Sequence, residues 1–147
     1  MMIGQQQKDQ AEKWFQNLRD KICEEFEILE EDHVVLSPKS DMAAKKFERK
    51  STKRETDDKD DGGGGVMATL KGGRIFEKVG VNVSAVYGNL APEAQKSITA
   101  RKAIPELKDD PRFWASGISL VAHMRNPHTP AIHLNTRMFW TPHAWWF

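Results

Sequence analysis

The sequence predicts an α+β fold in which a helix precedes an antiparallel β-sheet, and three observations carry this prediction. Apolar residues recur at helical spacing over residues 9–31, and apolar and polar residues alternate from Val79 to Tyr87. Two further alternating segments flank a connection that contains Pro127 and Pro130. Helices packed on an antiparallel sheet are the usual fold for such an element order.

The first predicted element is an amphipathic helix over residues 9–31. Its apolar face follows the 3.6-residue period and consists of Phe15, Leu18, Ile22, Phe26 and Leu29, with Trp14 beside them. Asp9, followed three residues later by Glu12, matches the capping-box pattern at a helix start. We therefore expect this helix to pack one face on a core.

Charged residues dominate the segment from Lys45 to Asp61. A segment of this composition buries too little apolar surface to offset the entropy lost on ordering, so we expect a solvated loop or a disordered insertion. Its charges are of both signs, which makes contact with RNA or a membrane the lesser alternative.

Four glycines follow at Gly62–Gly65. Residues 63–68 satisfy the spacing of a dinucleotide fingerprint, but acidic residues stand where that motif needs a hydrophobic strand. No Gly-Lys-Ser/Thr follows, so a P-loop is excluded. We interpret the run as a place of close backbone approach or a tight bend.

The rest of the chain predicts mainly strands. After the alternating segment that ends at Gly88, residues 91–103 predict a short helix with Pro92 in its first turn. Asp109-Asp110-Pro111 predicts a turn, and residues 117–123 and 131–138 predict two strands. The long connection between these strands predicts a hairpin without a tight two-residue turn.

This hairpin carries the candidate functional residues. Ser119 and His123 share one face of the first strand, and His133, Asn135 and Arg137 share one face of the second. Antiparallel pairing would place both polar faces on the same side of the sheet. Two interpretations remain open: an ordinary solvent-facing strand, or a cleft floor. In a cleft, arginine would hold a carboxylate, histidine would transfer a proton and asparagine would form hydrogen bonds.

Histidines also raise the question of a metal site. Four of the five stand at His123, His128, His133 and His143, and the hairpin could bring His123 and His133 together. The sequence contains no His-Glu-x-x-His pattern and no paired cysteines, so support for a metal site is weak.

Composition narrows the class of protein. The 147 residues are 39% hydrophobic and 29% charged, which is typical of a soluble globular domain. A net charge of +1 excludes general attraction to nucleic acid or membrane surfaces. Cys23 is the one cysteine, so an internal disulfide is excluded and a reducing compartment is favoured. Without an apolar leader, an Arg-rich transit segment or a membrane span, we expect a cytosolic protein.

A series of motifs covers residues 62–147. They are Gly62–Gly65, Phe76–Asn82 with Ser84 and Gly88, Gly117–His123, Asn126–Pro130, Ile132–Arg137 and Trp145–Phe147, with a looser match at Lys46–Lys50. These motifs resemble those of the oxygen-dependent coproporphyrinogen III oxidases of haem biosynthesis, and they occur in the same order and at compatible spacings.

The resemblance implies a fold and an activity. The fold is an antiparallel sheet covered by helices on both sides, usually in a homodimer with a deep cleft. The reaction converts two propionates of coproporphyrinogen III to vinyl groups, giving protoporphyrinogen IX. Oxygen is the oxidant, carbon dioxide and hydrogen peroxide leave, no organic cofactor is needed, and a divalent metal has been argued both ways.

The resemblance also implies site residues. His133 aligns with the proton donor proposed for the family. Ser119, Asn135, Thr136 and Arg137 align with substrate contacts. His123 and His133 align with positions sometimes assigned to a divalent metal.

The sequence departs from the family in three places. Met124 replaces a usual proline, the charged segment 51–61 is longer than typical, and the family motifs that follow Trp-Trp-Phe are not in this sequence. We therefore expect the N-terminal half of the family's domain, with the fold incomplete. Residues 1–36 would form its leading helix, 37–61 a charged loop and 62–147 the first part of the catalytic sheet.

Three hypotheses about function follow. The chain is a coproporphyrinogen oxidase represented by a truncated sequence, or it is an inactive remnant that binds tetrapyrrole or pairs with a full-length copy. The third hypothesis is a small interaction module that uses the charged segment.

Overall fold

The structure, a computed structural model, describes residues 4–37, 41–56 and 60–147. Its elements in chain order are α1 (Gln5–Leu36), β1 (Glu48–Glu55), β2 (Asp61–Lys71), β3 (Phe76–Asn89), α2 (Pro92–Lys102), a 3₁₀ helix (Pro105–Lys108), β4 (Arg112–Met124), β5 (Ile132–Trp140) and β6 (Trp145–Trp146). The six strands form one sheet in the order β1-β2-β3-β4-β5-β6, and every neighbouring pair is antiparallel. The predicted α+β fold is confirmed.

Helix α1 is longer than the predicted helix at both ends. The backbone N–H of Gly4 donates to Gln7 Oε1 at 3.0 Å, which satisfies one of the donors at the helix start. Asp9 lies inside the helix, where its Oδ1 accepts a hydrogen bond from Gln5 Nε2 at 2.7 Å. The predicted capping box at Asp9 and Glu12 was therefore wrong, because the polar residues before Asp9 are good helix formers and continue the helix.

Strand β1 corrects the prediction of a charged loop. Residues 48–55 pair with β2 from Glu48 opposite Thr69 to Lys53 opposite Gly64. All eight β1 side chains are exposed, which is typical of an edge strand that charge protects from pairing with other chains. Backbone pairing with β2 orders the segment without burying its side chains, and composition alone does not reveal such pairing. Residues 57–59 of the acidic run lie outside the described residues.

The glycine run in β2 is a place where the backbones of neighbouring strands approach closely. This was one of the two predicted roles, the other being a tight bend. A Cβ on Gly65 would overlap the backbone oxygen of Val83 and would stand 2.8 Å from the Cα of Ser84. Neighbouring strands therefore approach this position too closely for a side chain.

One face of the sheet, called the covered face below, packs against α1. The helix contributes Phe15 and Cys23 to the core and lies over β3 and β4. The buried strand residues of this core are Ala68, Leu70, Phe76, Val79, Val81, Val83, Trp114, Ile118, Leu120, Ala122 and Met138. Burying one large aliphatic side chain contributes about 1.5–3 kcal/mol, so these contacts fix how the helix and sheet pack.

Cys23 is a structural thiol in this core. Its exposed fraction is 2%, and burial is the main cause that raises its pKa to about 11. The thiol is therefore protonated near neutral pH.

A buried carboxylate ties the last part of α1 to the β2–β3 turn. Glu30 Oε1 accepts the backbone N–H groups of Ile75 at 2.8 Å and Phe76 at 3.0 Å. Its Oε2 accepts those of Arg74 at 2.6 Å and Lys45 at 3.3 Å. Burial raises the pKa of Glu30, but these four hydrogen bonds outweigh it and hold that pKa below its usual value.

The side chain of Arg74, in the turn, donates hydrogen bonds back to the end of α1 and to the residues that follow it. Its guanidinium donates to His33 Nδ1 at 3.2 Å and to the backbone oxygens of Ser37, at 2.5 Å, and Met42. Ser37 and Met42 are thereby held against the turn.

The remaining predicted elements are confirmed. Helix α2 has Pro92 in its first turn and ends at Ala103, whose φ of 54° is left-handed. Strand β4 extends the predicted 117–123 at both ends, whereas β5 begins one residue later and ends two residues later than the predicted 131–138. The connection between them includes a hydrogen bond from Thr129 N to Asn126 O at 3.1 Å.

Candidate functional site

The side of the sheet opposite α1, called the open face below, carries most of the predicted site residues. Residues directly opposite each other in an antiparallel pair point to the same side. Asn82 of β3 lies opposite Ser119 of β4, and Ser119 lies opposite Asn135 of β5. These three side chains, the polar row, follow one another across three strands that are about 4.8 Å apart. Two are amides and one is a hydroxyl, so the row offers both donors and acceptors.

His133 and Arg137 stand on either side of the polar row. His133 lies opposite Val121, and Arg137 lies opposite Gly117, so both share the open face with Asn135. Both side chains are exposed. Neither forms a hydrogen bond or ion pair with any residue in the described part of the chain. The five N–H donors of the Arg137 guanidinium are therefore available to an anionic ligand.

Thr136 does not join these residues. It lies opposite Ile118, which has an exposed fraction of 1%, so its side chain belongs to the covered face. Ser119, Asn135, Arg137 and His133 are brought together on one side of the sheet, and Thr136 is placed on the other.

The two histidines assigned to a metal share the open face but do not lie directly opposite each other. His123 lies opposite Lys78 of β3, whereas His133 lies opposite Val121. The ammonium group of a neighbouring lysine opposes a divalent cation. Within residues 4–37, 41–56 and 60–147 there is no group of three potential metal ligands. This donor set does not fit a divalent metal site.

An aromatic stack lies beyond Arg137 on the open face. The rings of Phe113 and Phe139 are 5.6 Å apart and nearly parallel, and Phe139 stacks on Trp146 at 4.8 Å. Cations lie over both ends, with Arg54 5.6 Å from the Phe113 ring and Lys102 5.4 Å from the Trp146 ring. The stack forms an apolar border at this end of the open face.

A cavity of about 620 Å³ lies elsewhere, between the glycine run of β2 and the first turns of α1. Side chains of both charges line it, among them Glu12, Arg19, Lys53 and Asp61. Ser116 also lines it, and its buried hydroxyl has no hydrogen-bond partner among the described residues. None of the predicted site residues is among the described residues that line this cavity. The candidate site is therefore the open face.

The resolved pKa changes also lie outside the open face. At the rim of the cavity, the Tyr87 hydroxyl donates to Asp61 Oδ2 at 2.6 Å; this bond is the main cause that lowers the pKa of Asp61 and raises that of Tyr87. Near the start of β4, hydrogen bonds from Arg112 at 2.8 and 2.5 Å are the main cause that lowers the pKa of Asp110 to about 2. Both are local surface pairs, and neither contacts the polar row.

Asn82 was not among the residues predicted for the site, although its signal was present in the sequence. The apolar residues Val79, Val81 and Val83 define the covered face of β3, which leaves Asn82 on the opposite side. The alternation of apolar and polar residues in β3 therefore indicates Asn82 as a residue of the open face.

Comparison with known proteins identifies the family. The family model described as coproporphyrinogen III oxidase matches residues 10–147. The chain belongs to the coproporphyrinogen III oxidase family.

Oxygen-dependent coproporphyrinogen-III oxidases of Rickettsia are among the similar proteins. The protein of Rickettsia peacockii is 44% identical over 138 residues, which are 94% of this chain and 44% of the relative. That of Rickettsia bellii is 41% identical over 143 residues, which are 97% of this chain and 46% of the relative. The chain thus spans less than half the length of these curated relatives.

The open face of this family member carries Ser119, Asn135 and Arg137 together with His133, whereas α1 packs on the covered face. Among the described residues, no helix is both long and apolar enough to cross a membrane.

Proposed function

We propose that this chain contributes the carboxylate-binding part of the substrate site of an oxygen-dependent coproporphyrinogen III oxidase. One observation carries the proposal: the unpaired guanidinium of Arg137 shares the open face with His133 and the polar row, in a chain that belongs to this family. The substrate is a tetracarboxylate, and arginine is the side chain best suited to bind a carboxylate through two parallel hydrogen bonds.

The proposed reaction converts each of two propionates to a vinyl group. In each of two propionates, the bond to the carboxylate breaks and carbon dioxide leaves, while a C–H bond breaks on the other carbon of the side chain. The electron pair of the C–C bond becomes the second bond of the vinyl group. The pair from the C–H bond reduces oxygen, which takes up that hydrogen and one further proton and leaves as hydrogen peroxide.

Each open-face residue has a proposed role. Arg137 binds a propionate carboxylate, and His133 supplies the further proton, which a histidine can do near neutral pH. Ser119 and Asn135 form hydrogen bonds with the substrate, and we add Asn82 because it continues their row. Thr136 is left out of the substrate contacts because it lies on the covered face. The proposal includes oxygen as co-substrate, no organic cofactor and no metal step.

Binding tests the proposal on the chain itself. Coproporphyrin III, the stable oxidised form of the substrate, is titrated into the purified chain and its fluorescence is followed. Arg137→Ala removes the guanidinium and should weaken binding about tenfold or more. Arg137→Lys keeps the positive charge but loses the bidentate geometry, so its affinity should lie between those of wild type and Arg137→Ala. Arg101→Ala, which removes an exposed arginine from α2, is the matched control. Equal affinity of Arg137→Ala and wild type would exclude Arg137 as the carboxylate-binding residue.

Aerobic turnover of coproporphyrinogen III tests the chemistry. Protoporphyrin fluorescence is measured after oxidation of the product, with His133→Ala as the variant. Turnover that is lost in His133→Ala supports the catalytic role, whereas unchanged turnover contradicts it. Binding without turnover would support the second hypothesis, in which the chain binds tetrapyrrole and does not react.

The interaction module remains the alternative hypothesis. Its charged residues 48–55 form the edge strand β1 with exposed side chains, so a partner would contact a paired strand and not a free loop. A homodimer and a cytosolic location remain part of the proposal through the family resemblance, and analytical ultracentrifugation tests the dimer.

A further inference from the structure

Gly80 lies in the first half of β3, and none of the described residues requires it to be glycine. A Cβ built on Gly80 meets no heavy atom within 4 Å in the part of the chain that the structure describes. Its φ is not positive, unlike those of Gly63, Gly72 and Gly88. A glycine inside a strand costs conformational entropy and offers no side chain to pack, so an unexplained one calls for another reason.

Neighbouring glycines on the open face differ from Gly80 in this respect. A Cβ on Gly65 or Gly117 would overlap backbone atoms of the adjacent strand. The fold itself therefore accounts for those two positions. Gly80 has room for a side chain that it does not carry.

The empty space at Gly80 lies within the candidate site. Gly80 is opposite Thr69 of β2 and Val121 of β4, and Val121 is opposite His133. Gly80 and His133 thus stand in the same cross-strand row, two strands and about 10 Å apart. Asn82 of the polar row follows two residues later on the same face.

We propose that Gly80 is a specificity-determining residue that keeps the open face clear for the tetrapyrrole macrocycle, and this inference rests on the proposed function. Gly65 and Gly117 lie on the same face and also lack side chains, so few side chains project from the open face beside the polar row. A broad ring system can then lie close to the backbone while its propionates reach Arg137. A side chain at position 80 would stand where the ring lies.

Substitution by residues of increasing size tests this role. Gly80→Ala, Gly80→Val and Gly80→Phe are compared with wild type in thermal unfolding and in coproporphyrin III binding. Because strand propensity and cross-strand packing improve, Gly80→Val should raise the Tm by about 2–4 °C. Its affinity for coproporphyrin III should fall about tenfold or more, with a larger loss for Gly80→Phe.

A control separates added bulk from its position. Ser51→Val adds a β-branched side chain on exposed β1, opposite Val66, and therefore on the other side of the sheet. It should leave the affinity for coproporphyrin III unchanged.

The outcomes distinguish this inference from the proposed function. A lower Tm in both Gly80→Ala and Gly80→Val would show that the fold needs glycine, and would overturn the inference alone. A higher Tm with unchanged affinity would also overturn it. A wild-type chain that does not bind coproporphyrin III would overturn the proposed function and the inference together.

Discussion

The carboxylate of Glu30 accepts the backbone N–H of Arg74 at 2.6 Å, across 44 residues of sequence. This hydrogen bond and those from the backbone N–H groups of Ile75 and Phe76 join the last part of α1 to the turn that leads into β3, and a fourth, from Lys45, holds the residues just before β1. Strand β3 carries Asn82 and Gly80, so the attachment on one side of the sheet also fixes a strand of the open face.

Replacing Glu30 by glutamine should destabilise the protein. Glutamine has the same shape, but it brings its own NH₂ donors to a site that already contains four backbone donors, and it loses the negative charge. We expect Glu30→Gln to lower the free energy of unfolding by about 2–3 kcal/mol, measured by urea denaturation.

Glu31→Gln is the matched control. Glu31 forms an ion pair with Lys46 at 3.3 Å between two exposed side chains, and such pairs contribute about 0–1 kcal/mol. If both variants lost the same free energy, the buried carboxylate would have no special role.

Glu30 should also make stability depend on pH in acid. Its folded pKa is lowered relative to the unfolded value of about 4.3. The stabilisation is therefore fully present above the unfolded pKa and is lost as pH falls through the lower folded pKa. Measured by thermal unfolding between about pH 6 and pH 3, the gap in Tm between wild type and Glu30→Gln should narrow as pH falls. A gap that stays constant would contradict this assignment.

Gly117 should tolerate no side chain. A Cβ there would overlap the backbone oxygen of Thr136 and stand 2.9 Å from the Cα of Arg137. Gly117→Ala should therefore push β4 and β5 apart and cost about 1–3 kcal/mol in urea unfolding. Gly80→Ala is the matched comparison, because its Cβ meets no heavy atom of the described residues within 4 Å. Equal stability of these two alanine variants would show that the strands can adjust freely at Gly117.

Cys23 should be inert in the folded protein. Its pKa of about 11 lies two units above the ordinary value of 9.0, which lowers its thiolate fraction about a hundredfold near neutral pH. Burial limits access as well. Reaction with a chromogenic disulfide reagent should be at least about a hundredfold slower in the native chain than in the same chain unfolded in urea. Similar rates in the two states would show that α1 opens readily from the sheet.

Periodicity predicted the parts of the fold whose burial is regular. Alternation located β3, β4 and β5, and it placed His133, Asn135 and Arg137 on the same side as Ser119, which the register confirms. These predictions succeeded because side-chain direction in a strand follows directly from position.

Long-range contacts produced the features that the sequence did not predict. β1 has no apolar pattern, since its order comes from pairing with β2. The bonds of Glu30 to Arg74, Ile75 and Phe76 connect segments with no local signal of contact. The unused space at Gly80 can be recognised only once the adjacent strands are in place.

The strand order has a consequence for how the chain folds. Each strand of the sheet pairs with the one that precedes it in sequence, from β1 to β6. A ribosome releases the chain from its N-terminus, so β2 can pair with β1 before β3 has been made, and the same holds for each later strand. Contacts between sequence neighbours also favour fast folding. At every stage of synthesis, the newest strand is the edge on which the next strand forms.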